Sequence, residues 1–137
     1  MSIIIDTGIF VAFHNRRDEN HERARQLIRS VAAGEHGLAY TSDYIFDEAV
    51  TLAAIRTGRQ DIASSLGRMI LGEGVPKFLL MLKVNDHAFQ EAWGIFKKTG
   101  RKLSFTDCTT IALSKIYGTD SVMSFDSDFN GLLQRVS

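Results

Sequence analysis

The chain is short of three things: it has one cysteine, one proline, and no excess of either charge sign in its 137 residues. The lone cysteine, Cys108, rules out an internal disulfide. His14, His21, His36 and His87 fall in separate segments without paired ligand spacing, which argues against a structural zinc centre. With no Pro-, Ser- or Gly-rich tract and no internal repeat, a linker has nowhere to sit, and one domain spanning residues 1–137 is expected. Lys plus Arg number 16 against 16 for Asp plus Glu, so nothing draws the chain to a polyanion by bulk charge. Only a local basic patch could do so. No apolar run approaches the roughly 18 residues of a membrane span, and no basic-then-apolar leader opens the chain. The expected location is the cytoplasm, without a membrane anchor.

What the chain does have is an ordinary folded composition: 45% hydrophobic and 23% charged residues set it apart from disordered and fibrous sequences. A chain of this size buries roughly two-thirds of its unfolded surface and needs no covalent staples. Its order is legible from apolar patterning. Ser2 to Ile5 reads as a strand, and "TGIFVAFH" as a buried helix that breaks at "NRRDEN". "HERARQLIRSVAAG" places Ala24, Leu27, Ile28, Val31 and Ala32 at helical spacing and stops at Gly34. "GLAYTSD" reads as a strand leading into an N-cap at Thr41, Ser42 or Asp43, and the following helix stops at Gly58.

Further on, "RQDIASSLGRMILGEG" predicts a helix and "KFLLMLKV" a strand buried on both faces. "NDHAFQEAWGIFKKTG" predicts a helix capped by Asn85 and closed by Gly100, with Phe89, Trp93 and Phe96 in the core. "TDCTTIALSKIYG" is a last helix and "TDSVMSF" a last strand. Alternating helices and short apolar strands point to a three-layer α/β fold with a central parallel sheet, because parallel neighbours need a crossover and helices supply it.

The acidic residues carry the chemistry. In an open α/β sheet the ligand site lies beyond the carboxyl ends of the strands, where Asp6 and Asp126 both stand. Asp107 opens a helix after "LSF" and reaches the same rim. Glu48 lies in register with Ile45, Leu52 and Ile55, and a glutamate within an apolar stripe is turned inward. Each acid also has an ordinary reading: Asp6 as a helix N-cap, Asp107 as a first-turn acid, Glu48 paired with a buried arginine, Asp126 or Asp128 shaping the turn "FDSDFNG". One shared site explains all four together. Converging carboxylates call for a cation, and an all-oxygen donor set suits Mg²⁺ or Mn²⁺. Cys108 reads as a small buried side chain rather than a nucleophile. Arg16, Arg17, Lys97, Lys98, Arg101 and Lys102 read as solvated surface, and they are also where phosphate contacts would fall.

Four segments, "IIIDTGIFVAF", "SDYIFDEAVTLA", "LSFTDCTTIALSKIYG" and "SVMSFDSDF", in this order resemble the PIN-domain nucleases. In length and pattern the chain resembles their VapC-type toxin ribonucleases of bacteria and archaea. The resemblance implies a PIN-like fold and metal-dependent hydrolysis of RNA at Asp6, Glu48, Asp107 and Asp126. It also implies support for that site by hydrogen bonds from Thr7 and Ser124, with Asp128 as the rival of Asp126. Beyond the site it implies a homodimer and a separate antitoxin. Two other classes compete. One is a PIN-like RNA-binding or regulatory module without activity. The other is a haloacid-dehalogenase-type phosphatase, whose second Asp is replaced here by Gly8.

Overall fold

The computed structural model describes residues 1–137. Its first strand, β1 (Ser2–Ile5), is three isoleucines behind a serine, and all three are buried. Branching at Cβ suits that extended, doubly covered position. Helices α1 (Thr7–His14) and α2 (His21–Ala32) follow, then β2 (Leu38–Ser42), α3 (Asp43–Thr57) and α4 (Gln60–Leu71). The second half runs β3 (Leu80–Leu82), α5 (Asp86–Lys98), α6 (Phe105–Tyr117) and β4 (Ser121–Met123). A 3₁₀ turn at Ser127–Phe129 leads into β5 (Gln134–Val136).

All four strand pairings are parallel, in the order β3-β2-β1-β4-β5. Strand β1 is therefore central, and the connections diverge on its two sides. Right-handed crossovers put the helices between β1 and β3 on one face of the sheet, and those on the return path to β4 on the other. The packing follows. Helix α1 lies against α2, α3 and α4, while α5 lies against α6. Ala92, Leu103, Cys108, Ile111, Ala112, Val122 and Phe129 form an apolar cluster apart from the larger one that holds β1, α1, α3 and α4.

The three-layer α/β/α reading stands, with corrections. The segment "KFLLMLKV" is not a strand buried on both faces: only three residues pair, at a sheet edge, and Leu80 is 45% exposed. Strand β5 has no prediction behind it, being three half-covered residues at the other edge. Helix α2 ends at Ala32, which is exposed, and α5 ends at Thr99 in extended backbone rather than at Gly100. Helix α6 begins two residues before Asp107.

Two apolar stripes are also rotated from their predicted faces. Helix α3 buries Ile45, Ala49 and Ala53, leaving Ile55 71% exposed and Glu48 half-buried at the margin. Helix α5 buries Ala88 and Ala92 against α6, so Phe89, Trp93 and Phe96 are each more than 40% exposed rather than core. Small residues allow two helix backbones to approach closely, and the neighbouring aromatic stripe is left at the surface. There Trp93 stacks on Phe96, and Phe105 meets Phe89, Phe96 and Tyr44.

One glycine is fixed by sterics: Gly37 has φ +74°, and a Cβ there would run into the Met1 carbonyl oxygen that accepts from the Leu38 N–H. The fully buried Phe10 and the exposed Ile55 give a direct check on the faces assigned to α1 and α3. Phe10→Ala should lower unfolding free energy by about 3–5 kcal/mol in denaturant titrations, whereas Ile55→Ser should change it by no more than about 0.5 kcal/mol.

Candidate active site

The carboxyl edge of the sheet gathers side chains from four separate segments. Asp6 is the first residue past β1, at the position preceding α1, and only 6% of it is exposed. Its backbone N–H still joins the sheet, donating to the Met123 carbonyl at 3.0 Å. Its side chain caps nothing in α1, so the N-cap reading fails. The carboxylate instead accepts a 2.7 Å hydrogen bond from the Ser124 hydroxyl, 118 residues away in sequence. That hydroxyl also accepts the Asp126 N–H at 2.9 Å, so one buried serine fixes two acidic residues. Asp126 in turn accepts from the Asp128 N–H at 2.9 Å.

Asp107 stands on the third residue of α6 in a capping box. Its N–H donates to the Ser104 hydroxyl, and its carboxylate accepts the Ser104 N–H, both at 3.0 Å. Ser104 is a positioning residue the sequence reading passed over, although S-x-x-D before an apolar run is its signature. Glu48 makes no hydrogen bond and no ion pair within the chain, whose only two ion pairs are Arg25–Glu22 and Arg59–Asp61. No arginine neutralises it.

Electrostatics ties the four together. Burial pushes the Asp6 carboxyl up to about 7, opposed by the Ser124 hydrogen bond and reinforced by the charges of Asp107 and Glu48. Burial likewise raises Asp107, and Asp126 and Glu48 add to the rise. From the turn after β4, the charge of Asp126 acts on Asp107. Asp128 contributes its backbone to the turn. As the side chains lie, no three carboxylates close around one point, which accords with like charges that repel.

One of the other expectations needs amendment and one holds. The Thr7 hydroxyl does not support the site by hydrogen bonding: it is buried without a partner, and it is the Thr7 backbone that hydrogen-bonds Asp6. Cys108 is fully buried one residue beyond Asp107, and burial raises its thiol, so it is an inert core side chain.

An all-parallel sheet with carboxylates from four segments at its central switch point defines an acidic-site α/β protein, whose ligand crevice is where the strand order diverges. Residues 3–132 match the PIN domain family, and the chain belongs to it. Among its relatives is the VapC ribonuclease of Archaeoglobus fulgidus, 24% identical over 95% of this chain and 80% of that protein. The 23S rRNA-specific endonuclease VapC20 of Mycobacterium tuberculosis is 27% identical over 93% of this chain and 92% of its own length. The crystal structure of that protein, described as a sarcin-ricin loop cleaving toxin, superposes with TM-score 0.80 at 25% identity, covering 93% of this chain and 92% of that one. VapBC2 of Rickettsia felis, solved with a DNA fragment from its promoter, gives TM-score 0.67 at 11% identity over 99% of this chain and 98% of its own, a likeness of fold.

The raised carboxyls set a pH dependence. Asp6 has an ordinary value of 3.8 and a folded one of about 7, so between them the folded chain holds the proton more tightly. This group's contribution to stability is therefore complete below about pH 4 and lost as pH rises toward 7. In EDTA, the melting temperature should fall from about pH 5 to about pH 8, and fall less in Asp6→Asn. At pH 8 the variant should be the more stable, by on the order of a few kcal/mol. Superimposable pH profiles would contradict the assignment.

Proposed function

We propose that this chain is a divalent-metal-dependent endoribonuclease. In this reading it is a single PIN domain over residues 1–137, acting in the cytoplasm as a homodimer and as the toxin of a toxin–antitoxin pair. The observation that carries the reading is Asp6. A carboxylate almost wholly removed from water, held by one hydroxyl and faced by two more carboxylates, lacks the positive charge its burial demands. The names of the relatives support RNA as the substrate and the toxin role, from which a cognate antitoxin follows.

The residues fit a hard divalent cation. The donors are carboxylate oxygens with neither Cys nor His among them, which suits Mg²⁺ or Mn²⁺. Asp6 and Asp107 would hold it directly, Glu48 either beside them or through water, and Asp126 through water or at a second ion. Bound there, the ion supplies Lewis acidity toward a phosphoryl oxygen and toward the attacking water.

The remaining work belongs to the chain. Ser124 locks the Asp6 carboxylate and the Asp126 backbone, and Ser104 locks Asp107, so the acids meet substrate without a search over rotamers. Glu48, free of protein partners, is the group able to turn toward a water and orient it for in-line attack on the phosphorus.

Labelled RNAs incubated with the purified protein should be cut in Mg²⁺ or Mn²⁺ and left intact in EDTA. Asp6→Asn and Asp107→Asn keep side-chain volume, and the latter keeps an oxygen for the Ser104 N–H. Each should lower the cleavage rate about 100-fold or more, the scale of removing one electrostatic group from an active site. Asp126→Asn should impair cleavage and Asp128→Asn should leave it at the wild-type rate. Wild-type cleavage by both Asp6→Asn and Asp107→Asn would sink the proposal. A folded, partner-free protein that binds RNA but cuts none under either metal would be the inactive module instead.

A further inference from the structure

A concentration of positive charge outside the acidic rim lies in a cleft of about 720 Å³ between the α1–α2 connection and the α3–α4 turn. Arg16, Arg17, Arg56 and Arg59 line it, with His14 at its wall and Asp61 as its one acid. That acid is already engaged, accepting two hydrogen bonds from Arg59 at 2.6 and 3.1 Å. The other three guanidinium groups have no hydrogen-bond or ion-pair partner in the chain. In a protein with no net charge, three free arginines facing one cavity is a local excess that an anion would relieve.

Helix ends account for little of it. Arg56 lies in the last turn of α3, where the dipole favours a cation. Arg16 and Arg17 belong to no helix, and Arg59 precedes α4, at the end where the dipole disfavours one. His14 adds no charge: burial and the neighbouring His21 hold its imidazole below its usual value, and its buried Nδ1 has no partner.

The cleft is also in line with the acids. Helix α1 starts beside Asp6 and ends at His14, about 12 Å later at 1.5 Å per residue, and α3 carries Glu48 and Arg56 the same distance apart. The two helices pack together, each with an acid toward one end and the arginine cleft at the other. At about 3.4 Å per stacked nucleotide, that span is three to four nucleotides. We propose that this cleft binds backbone phosphates of the RNA whose scissile bond lies at the acidic rim, with Arg16, Arg17 and Arg56 as the contacts. Guanidinium suits the role through its paired N–H donors. The assignment rests on the ribonuclease reading.

The test is the full chain carrying Arg16→Gln, Arg17→Gln and Arg56→Gln together, all at exposed positions, with the melting temperature confirming the fold. Binding of a fluorescein-labelled single-stranded RNA is followed against KCl in EDTA, and cleavage in Mn²⁺. The slope of log affinity against log salt should flatten by about 2, three contacts at roughly 0.7 each. KM should rise about tenfold or more with a far smaller change in kcat, as loss of uniform binding requires. Restoring the charge as lysine should restore the slope. An unchanged slope and KM in a triple variant of an active nuclease would overturn the cleft and leave the nuclease standing. Arginine-dependent binding by a wild-type chain that never cleaves would do the reverse. If the triple variant binds RNA normally but no longer retains a polyglutamate probe, the cleft takes an acidic protein segment and the RNA assignment is wrong.

Discussion

A carboxylate buried at the end of the middle strand is the constraint around which this molecule is arranged. An ionised group in that position costs several kcal/mol unless something answers it. Within the chain the answer is partial. Ser124 donates one hydrogen bond, and that bond exists only because β4 lies beside β1, bringing residues 118 positions apart into contact. The strand order, the central place of β1 and the pairing of Asp6 N–H with Met123 all serve to hold one oxygen at one spot. The partial answer leaves a site with an appetite for positive charge.

The other acids are held with unequal firmness, and the differences are physical. Asp107 is tied into a capping box, so its position follows from how α6 begins. Asp126 is tied through its backbone to the serine that also holds Asp6. Glu48 has no tie at all and sits at the margin of α3's buried line, half in solvent. Two fixed groups, one turn-bound group and one free group form a site that is rigid where it must grip and loose where it must adjust.

Much of this was legible in the sequence, because Asp6, Asp107 and Asp126 each follow or open an element that apolar runs and glycine stops mark out. The parallel α/β class followed from the same runs. What escaped reading was which of two adjacent helical stripes turns inward. On α5 the aromatic stripe offers far more apolar surface than the alanine stripe, yet close helix packing selects Ala88 and Ala92. On α3 the same preference for small residues sets Ile55 in solvent and Ala53 in the core. The edge strands misled for a different reason: β3 is apolar enough to read as interior but pairs over three residues only, and β5 is three partly covered residues with no apolar run to mark it. The silent Thr7 hydroxyl is a matter of side-chain geometry that spacing alone does not reach, whereas the Ser104 clasp on Asp107 was written in the S-x-x-D spacing and overlooked.

The long reach of the Ser124–Asp6 bond has a consequence for the chain as it is made. Synthesis delivers Asp6 and Glu48 early, and domains assemble from the amino end as they emerge. The central strand nevertheless has an open flank until Ser121–Met123 arrives to pair with it, and the serine latch follows only at Ser124. A ribosome stalled before that point therefore carries a nascent polypeptide without Asp126 and without the hydroxyl that aims Asp6. The order of translation itself keeps the site unassembled up to nearly the last codons.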